Sequence, residues 1–220
     1  MTKLKICGLM NEEDALFCKD TGVDIIGFVT EYPLDVPWNL SREMVKNLID
    51  SLEDARGKSC IVVGGDADHA LELIQYTKPG FVQLHYQETL DDIRDIAART
   101  DVKIIKTVPL DAENRERQSG TADIGECARR FAKAGADILL VDARGPENVT
   151  KSGALDVELF GEVKNATNRL TMAAGGIDSS NILDYLNSLH PDIIDIMTGV
   201  EDRPGAKNHP QITDCISKLR

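Results

Sequence analysis

The chain is poor in several things, and each shortage excludes something. Its 220 residues contain no run of about 18 apolar residues, so no segment has the length to cross a bilayer as a helix. Positive charge is short: 25 Lys and Arg stand against 37 Asp and Glu, a net charge of −12 with a pI near 4.8. Phosphate-backbone binding needs clustered Lys and Arg for counterion release, so nucleic acid is excluded as the main partner. The five cysteines have no paired spacing, and there is no CxxC, HExxH or other metal-ligand pattern. Free thiols and an N-terminus that turns acidic after a short apolar stretch suit the cytoplasm rather than an export route. Aromatic residues are 5 %, with a single tryptophan, Trp38.

What is present is alternation. Short runs rich in Ile, Val and Leu occur at 4–7, 25–29, 60–63, 81–84, 103–108, 138–141, 170–173 and 193–196. Such continuous runs suit strands buried on both faces of a parallel sheet. Between and after them lie segments of helical period near 11–21, 41–54, 67–77, 88–99, 121–134, 156–166, 179–188 and 210–219. In the fifth, Ile124, Cys127, Ala128 and Phe131 fall on one stripe.

Three strands are entered by similar phrases: Gly22-Val23-Asp24-Ile25-Ile26, Gly135-Ala136-Asp137-Ile138-Leu139 and Pro191-Asp192-Ile193-Ile194. Asp24 and Asp137 are 113 residues apart, and Asp137 and Asp192 are 55 apart. If 55 residues hold two βα units, the chain holds eight. The expected fold is α/β, a single (β/α)8 TIM barrel domain over residues 1–220. Chemistry in such barrels sits on the loops after the strands. Asp24, Asp137 and Asp192 precede theirs, so they are expected to serve helix–strand turns at the opposite end.

At the strand ends stand the candidates. Strand 1 delivers Cys7, either a base or nucleophile or a small hydrophobe filling the mouth. Strand 6 ends in Asp142, either a proton donor or a loop cap. Strand 7 runs into Gly175 and Gly176, and strand 8 into Thr198 and Gly199. Glycines admit close approach of an anion and suit a phosphate site, though tight capped turns account for each piece separately. Thr150-Lys151-Ser152-Gly153, after strand 6, is placed to close on that phosphate. His85 ends strand 4 with a packing or substrate role. Lys106 is either a catalytic amine or an inward-pointing barrel charge. Trp38, on a loop stiffened by Pro33 and Pro37, either walls an aromatic substrate or covers the rim.

Taken in order, Lys5-Ile6-Cys7-Gly8, Gly27-Phe28-Val29, Val82-Gln83-Leu84-His85, Leu140-Val141-Asp142, Ala174-Gly175-Gly176-Ile177 with Asn181, and Asp195 through Thr198-Gly199-Val200-Glu201 and Pro204-Gly205-Ala206-Lys207 resemble the phosphoribosylanthranilate isomerase family along the whole chain. The resemblance implies an Amadori rearrangement of N-(5′-phosphoribosyl)anthranilate in tryptophan biosynthesis, without metal or cofactor. Cys7 is then the general base at C2′ and Asp142 the general acid at the ring oxygen. Ser152, Gly153, Gly175, Gly176, Thr198 and Gly199 hold the phosphate, and Lys5, His85, Trp38 and Arg42 are further substrate contacts. The partner is a small phosphorylated sugar, and the protein a monomer or homodimer.

Three departures from the family stand out. The family's Ser-Pro-Arg after strand 2, whose arginine pairs with the anthranilate carboxylate, corresponds here to Thr30-Glu31-Tyr32-Pro33, which leaves Arg42 to substitute. The strand 6 loop reads Lys151-Ser152-Gly153 in place of Gly-Ser/Thr-Gly, and Tyr86 replaces the glycine after His85. Alternatives are a paralogous isomerase with another phosphosugar substrate and a non-catalytic phosphometabolite-binding barrel.

Overall fold

The structure is a computed structural model that describes residues 1–143 and 155–220. Eight parallel strands form the barrel: β1 (Lys3–Ile6), β2 (Ile25–Thr30), β3 (Ser59–Val63), β4 (Phe81–Leu84), β5 (Lys103–Thr107), β6 (Ile138–Asp142), β7 (Leu170–Ala174) and β8 (Ile193–Ile196). Each pairs with the next, and β1 pairs with both β2 and β8, which closes the ring. The closing register sets Lys5 opposite Asp195.

All eight expected strands are present. Nine helices are described: α1 (Glu12–Thr21), α2 (Arg42–Ser51), α3 (Ala67–Thr77), α4 (Leu90–Arg99), α5 (Ala112–Ser119), α6 (Ile124–Ala134), α7 (Val157–Ala166), α8 (Ile182–Leu189) and α9 (His209–Leu219). No described helix is long and apolar enough to cross a membrane.

The pleat explains the layering. On β5, Ile105 points inward and joins Ile25, Cys60, Ile138, Leu140 and Met172 in the barrel's interior. Its neighbour Ile104 belongs to the larger core between strands and helices. On α6 the stripe Ile124, Cys127, Ala128 and Phe131 is buried throughout. Asp123 caps that helix by accepting the Glu126 N–H.

Three features lay outside the periodicity. Helix α5 has no apolar stripe. It rests on the Asp111 N-cap, on Gly120 as its left-handed C-cap, and on Arg115, which donates to the carbonyls of Pro109, Leu110 and Ala122. A two-residue bridge, Asn39–Leu40, pairs with the end of β2. After β8 a small hairpin joins Glu201–Arg203 to Ala206–Lys207.

The three strand-entry aspartates each reach sideways to a neighbouring strand. Asp24 accepts the Leu4 N–H at 2.9 Å, Asp137 the Ile104 N–H at 2.9 Å, and Asp192 both the N–H and hydroxyl of Thr171 at 2.8 and 3.0 Å. They pin the end of the barrel remote from the strand-end loops. Asp192→Ala is expected to lower unfolding free energy by about 1–3 kcal/mol, because it orphans the N–H of buried Thr171. Urea denaturation checks this, with kcat/KM unchanged.

Candidate active site

A cleft of about 780 Å³, counting its open mouth, lies at the C-terminal ends of the strands. Its lining divides by chemistry. Cys7 and Asp142 come from β1 and β6, three strands apart around the ring. On one side stand Val29, Tyr32, Val36, Trp38, Val62 and Met197; on another, Gly175, Gly176, Thr198 and Gly199.

Cys7 is 3 % exposed. Two residues earlier on the same inward face is Lys5, wholly buried, with Nζ 2.8 Å from Asp195 Oδ2. Burial pushes the Cys7 thiol up; the Lys5 ammonium pulls it back in part, and Asp195 pushes it up again. Burial works to lower the Lys5 pKa, but Asp195 and the neighbouring thiols outweigh it and hold Lys5 charged. Lys5, expected as a substrate contact, lies buried beneath Cys7, and it is Cys7 rather than Lys5 that lines the cleft.

His85 and Asp142 stand 3.8 Å apart, Nε2 to Oδ2, with side chains 12 % and 15 % exposed. Gln83, two residues back on the same face of β4, donates from Nε2 to His85 Nδ1 at 2.8 Å. With Nδ1 accepting, the ring proton sits on Nε2, on the side of Asp142. Burial, with help from the Lys106 and Lys5 ammonium groups, pushes His85 down to about 3. Asp142 thus faces a neutral imidazole.

The glycines have specific reasons. Gly175 has φ +97°, and a Cβ there would fall 2.9 Å from Asp142 Oδ1 and closer still to Ala143. A Cβ on Gly199 would collide with the Ile177 carbonyl oxygen. Asn181 ties this turn together: it accepts the Asp178 N–H and donates to the Gly176 carbonyl, at 2.9 and 2.8 Å. Gly175, Gly176, Thr198 and Gly199 therefore meet at one place, as strand-end loops of adjacent β7 and β8 must. Ser152 and Gly153, with Thr150 and Lys151, lie outside the described residues.

Two further expectations change. Arg42, at the start of α2, reaches back, but to Glu31. Its Nε and one terminal nitrogen donate to the two Glu31 oxygens at 2.7 Å each, and it does not line the cleft. That fork is the strongest geometry a guanidinium finds, and the Arg42 hydrogen bond holds the Glu31 carboxyl below its usual range. Lys106 is not an inward charge. The pleat turns it outward, where it lies 2.8 Å from buried Glu88 and 5.4 Å from the Phe131 ring centre.

Gln83 and Asp195 line the cleft without having been assigned a role from the sequence. The signal was there: a polar residue buried inside an apolar strand must find a partner, on whichever face the pleat sets it.

The depressed His85 pKa has a consequence for stability. Between the ordinary value of 6.5 and about 3, the unfolded chain binds a proton that the folded chain refuses. Stability therefore falls as pH drops through that window, by up to about 1.4 kcal/mol per pH unit from this group. Urea midpoints across the window should fall less steeply in His85→Asn than in the parent.

The sequence model for N-(5′-phosphoribosyl)anthranilate (PRA) isomerase matches residues 4–218. The N-(5′-phosphoribosyl)anthranilate isomerase of Methanosarcina acetivorans is 27 % identical, over 100 % of this chain and 93 % of its own. The crystal structure of phosphoribosyl anthranilate isomerase from Thermotoga maritima superposes with a TM-score of 0.78 at 26 % identity, covering 99 % of this chain and 98 % of that one. A phosphoribosyl anthranilate isomerase in complex with reduced 1-(o-carboxyphenylamino)-1-deoxyribulose 5-phosphate superposes at 0.76, also at 26 % identity and with the same coverage. With its closed eightfold barrel, its strand-end cleft and a family match from one end to the other, the chain belongs to the PRA isomerase family.

Proposed function

We propose that this isomerase converts N-(5′-phosphoribosyl)anthranilate to 1-(o-carboxyphenylamino)-1-deoxyribulose 5-phosphate, with Asp142 as general acid and Cys7 as general base. The observation that carries the reading is that Cys7 and Asp142 line one cleft with the turns at Gly175-Gly176 and Thr198-Gly199. Asp142 gives a proton to the furanose oxygen as the C1′–O bond breaks, and the nitrogen lone pair forms the Schiff base. Cys7, as thiolate, takes the proton from C2′, and the C–H electron pair neutralises the iminium to give the enolamine. Protonation at C1′ with loss of the C2′ hydroxyl proton yields the ketone, so the rearrangement needs no outside oxidant or reductant.

The anion end of the substrate goes to the two glycine turns, where backbone can approach closely. His85, held neutral by burial, stands 3.8 Å from Asp142 and so places no positive charge beside the acid. Beneath Cys7 the Lys5 ammonium favours the thiolate against burial. The reading takes residues 1–220 as one catalytic barrel, monomer or homodimer, working in the cytoplasm.

The test is turnover of freshly generated phosphoribosylanthranilate, followed by its fluorescence. Cys7→Ser and Asp142→Asn should each lower kcat by about 10²–10⁴-fold while leaving affinity for a phosphate analogue within a few-fold. Full activity in either variant overturns its assignment. Because burial raises the Cys7 thiol, kcat/KM should climb with pH through neutrality as the thiolate forms. Removing Cys7 should abolish that limb.

A further inference from the structure

Trp38, the chain's one tryptophan, is held in a way that a rim cover does not require. It is 5 % exposed, lines the cleft, and packs in one apolar cluster with Cys7, Val29, Tyr32, Val36 and Val62. Its indole Nε1–H donates at 3.0 Å to Glu201 Oε1, in the hairpin that follows β8, the strand on the other side of β1 from β2. The same oxygen accepts from Lys207 Nζ at 2.6 Å and from the Gly205 N–H at 3.3 Å. Both ionic side chains are sealed, Lys207 at 0 % and Glu201 at 4 % exposure. Lys207 Nζ also donates to the carbonyl of Met197, which itself lines the cleft.

Near Trp38 the backbone makes room: a Cβ on Gly8 would come within 3.1 Å of the indole Cδ1. The loop after β2 is therefore tied to the loop after β8 through a buried charged pair, and the tie fixes the plane of one aromatic ring beside Cys7. A charged pair taken out of water is a costly way to secure a loop, but a rigid one.

Building on the isomerase reading above, we infer that Trp38 is the specificity-determining wall against which the aromatic ring of the aglycone packs, and that the buried Glu201–Lys207 pair is the positioning device that sets its indole. The cleft's own division supports this. With phosphate on the glycine turns and the sugar between Cys7 and Asp142, the arylamine falls to the side formed by Val29, Tyr32, Val36, Trp38 and Val62. Arg42 is engaged by Glu31 outside the cleft, so ring contact with the indole carries recognition at this end.

The experiment compares two inert probes on parent, Trp38→Ala, Trp38→Phe and Glu201→Gln by calorimetry: reduced 1-(o-carboxyphenylamino)-1-deoxyribulose 5-phosphate, and ribulose 5-phosphate, which lacks the ring. Trp38→Ala should weaken the arylamino probe by about tenfold or more and leave ribulose 5-phosphate within about twofold. Trp38→Phe should recover most of the loss. In turnover the same change should appear in KM rather than kcat. In Glu201→Gln the emission of the lone tryptophan should move to the red as the indole loosens, with part of the arylamino preference lost.

Equal weakening of both probes, or of neither, overturns the inference, as does a parent that binds the two alike. A parent that shows the Trp38-dependent preference without turnover overturns the isomerase reading and leaves the wall standing. Turnover that is indifferent to Trp38 does the reverse.

Discussion

The ion pair between Lys5 and Asp195 lies where the first strand meets the last. The two are register partners across the seam that closes the barrel, 2.8 Å apart and buried, Lys5 wholly and Asp195 at the floor of the cleft. A buried pair of this kind repays its desolvation only when its geometry is good, and removing one partner strands the other at a cost of about 3–5 kcal/mol. The seam is thus held by an interaction that does not tolerate half measures. It also sets the field beneath Cys7: the residue that secures closure is the cation that opposes the burial of the thiol.

From that seam the rest of the cleft follows by the pleat. Lys5 and Cys7 share the inward face of β1, as Gln83 and His85 share that of β4 and Asp195 and Met197 that of β8 with its following loop. A polar layer therefore underlies the layer that meets substrate. Above it, the side with the ends of β2 and β3 is apolar, while the ends of β7 and β8 bring glycines and bare backbone. The division suits a ligand that is aromatic at one end and anionic at the other. Trp38 belongs to the first half and is held by a charged pair whose members follow β8, so the two halves are mechanically joined.

Much of this was legible in the residues. Runs of Ile, Val and Leu separated by helical stripes mark eight βα units, because a strand buried on both faces has no other composition open to it. The recurring aspartates before strands 2, 6 and 8 mark the remote end of the barrel, where they tie neighbouring strands. Helix α5 escaped because it has no apolar stripe to read; caps and the Arg115 side chain secure it. The hairpin after β8 escaped because its strands are too short for a period to show.

Side-chain partners were the part that misled. Lys5 and Arg42 are expected as substrate contacts and Lys106 as a catalytic amine or an inward barrel charge, yet each is taken up, by Asp195, Glu31 and Glu88, at sequence separations of 190, 11 and 18. Nothing in a local pattern says which carboxylate a long cation will find, nor on which side of a strand it stands until register is set. The sequence by itself determined the class of fold, the count of its units and the strand ends that carry Cys7, Asp142 and the glycines, because periodicity and strand order are properties of the chain. Only the tertiary structure decided that Lys5 lies beneath Cys7, that Arg42 turns to Glu31, and that Trp38 is held by Glu201, because those depend on barrel closure bringing distant residues within hydrogen-bonding reach.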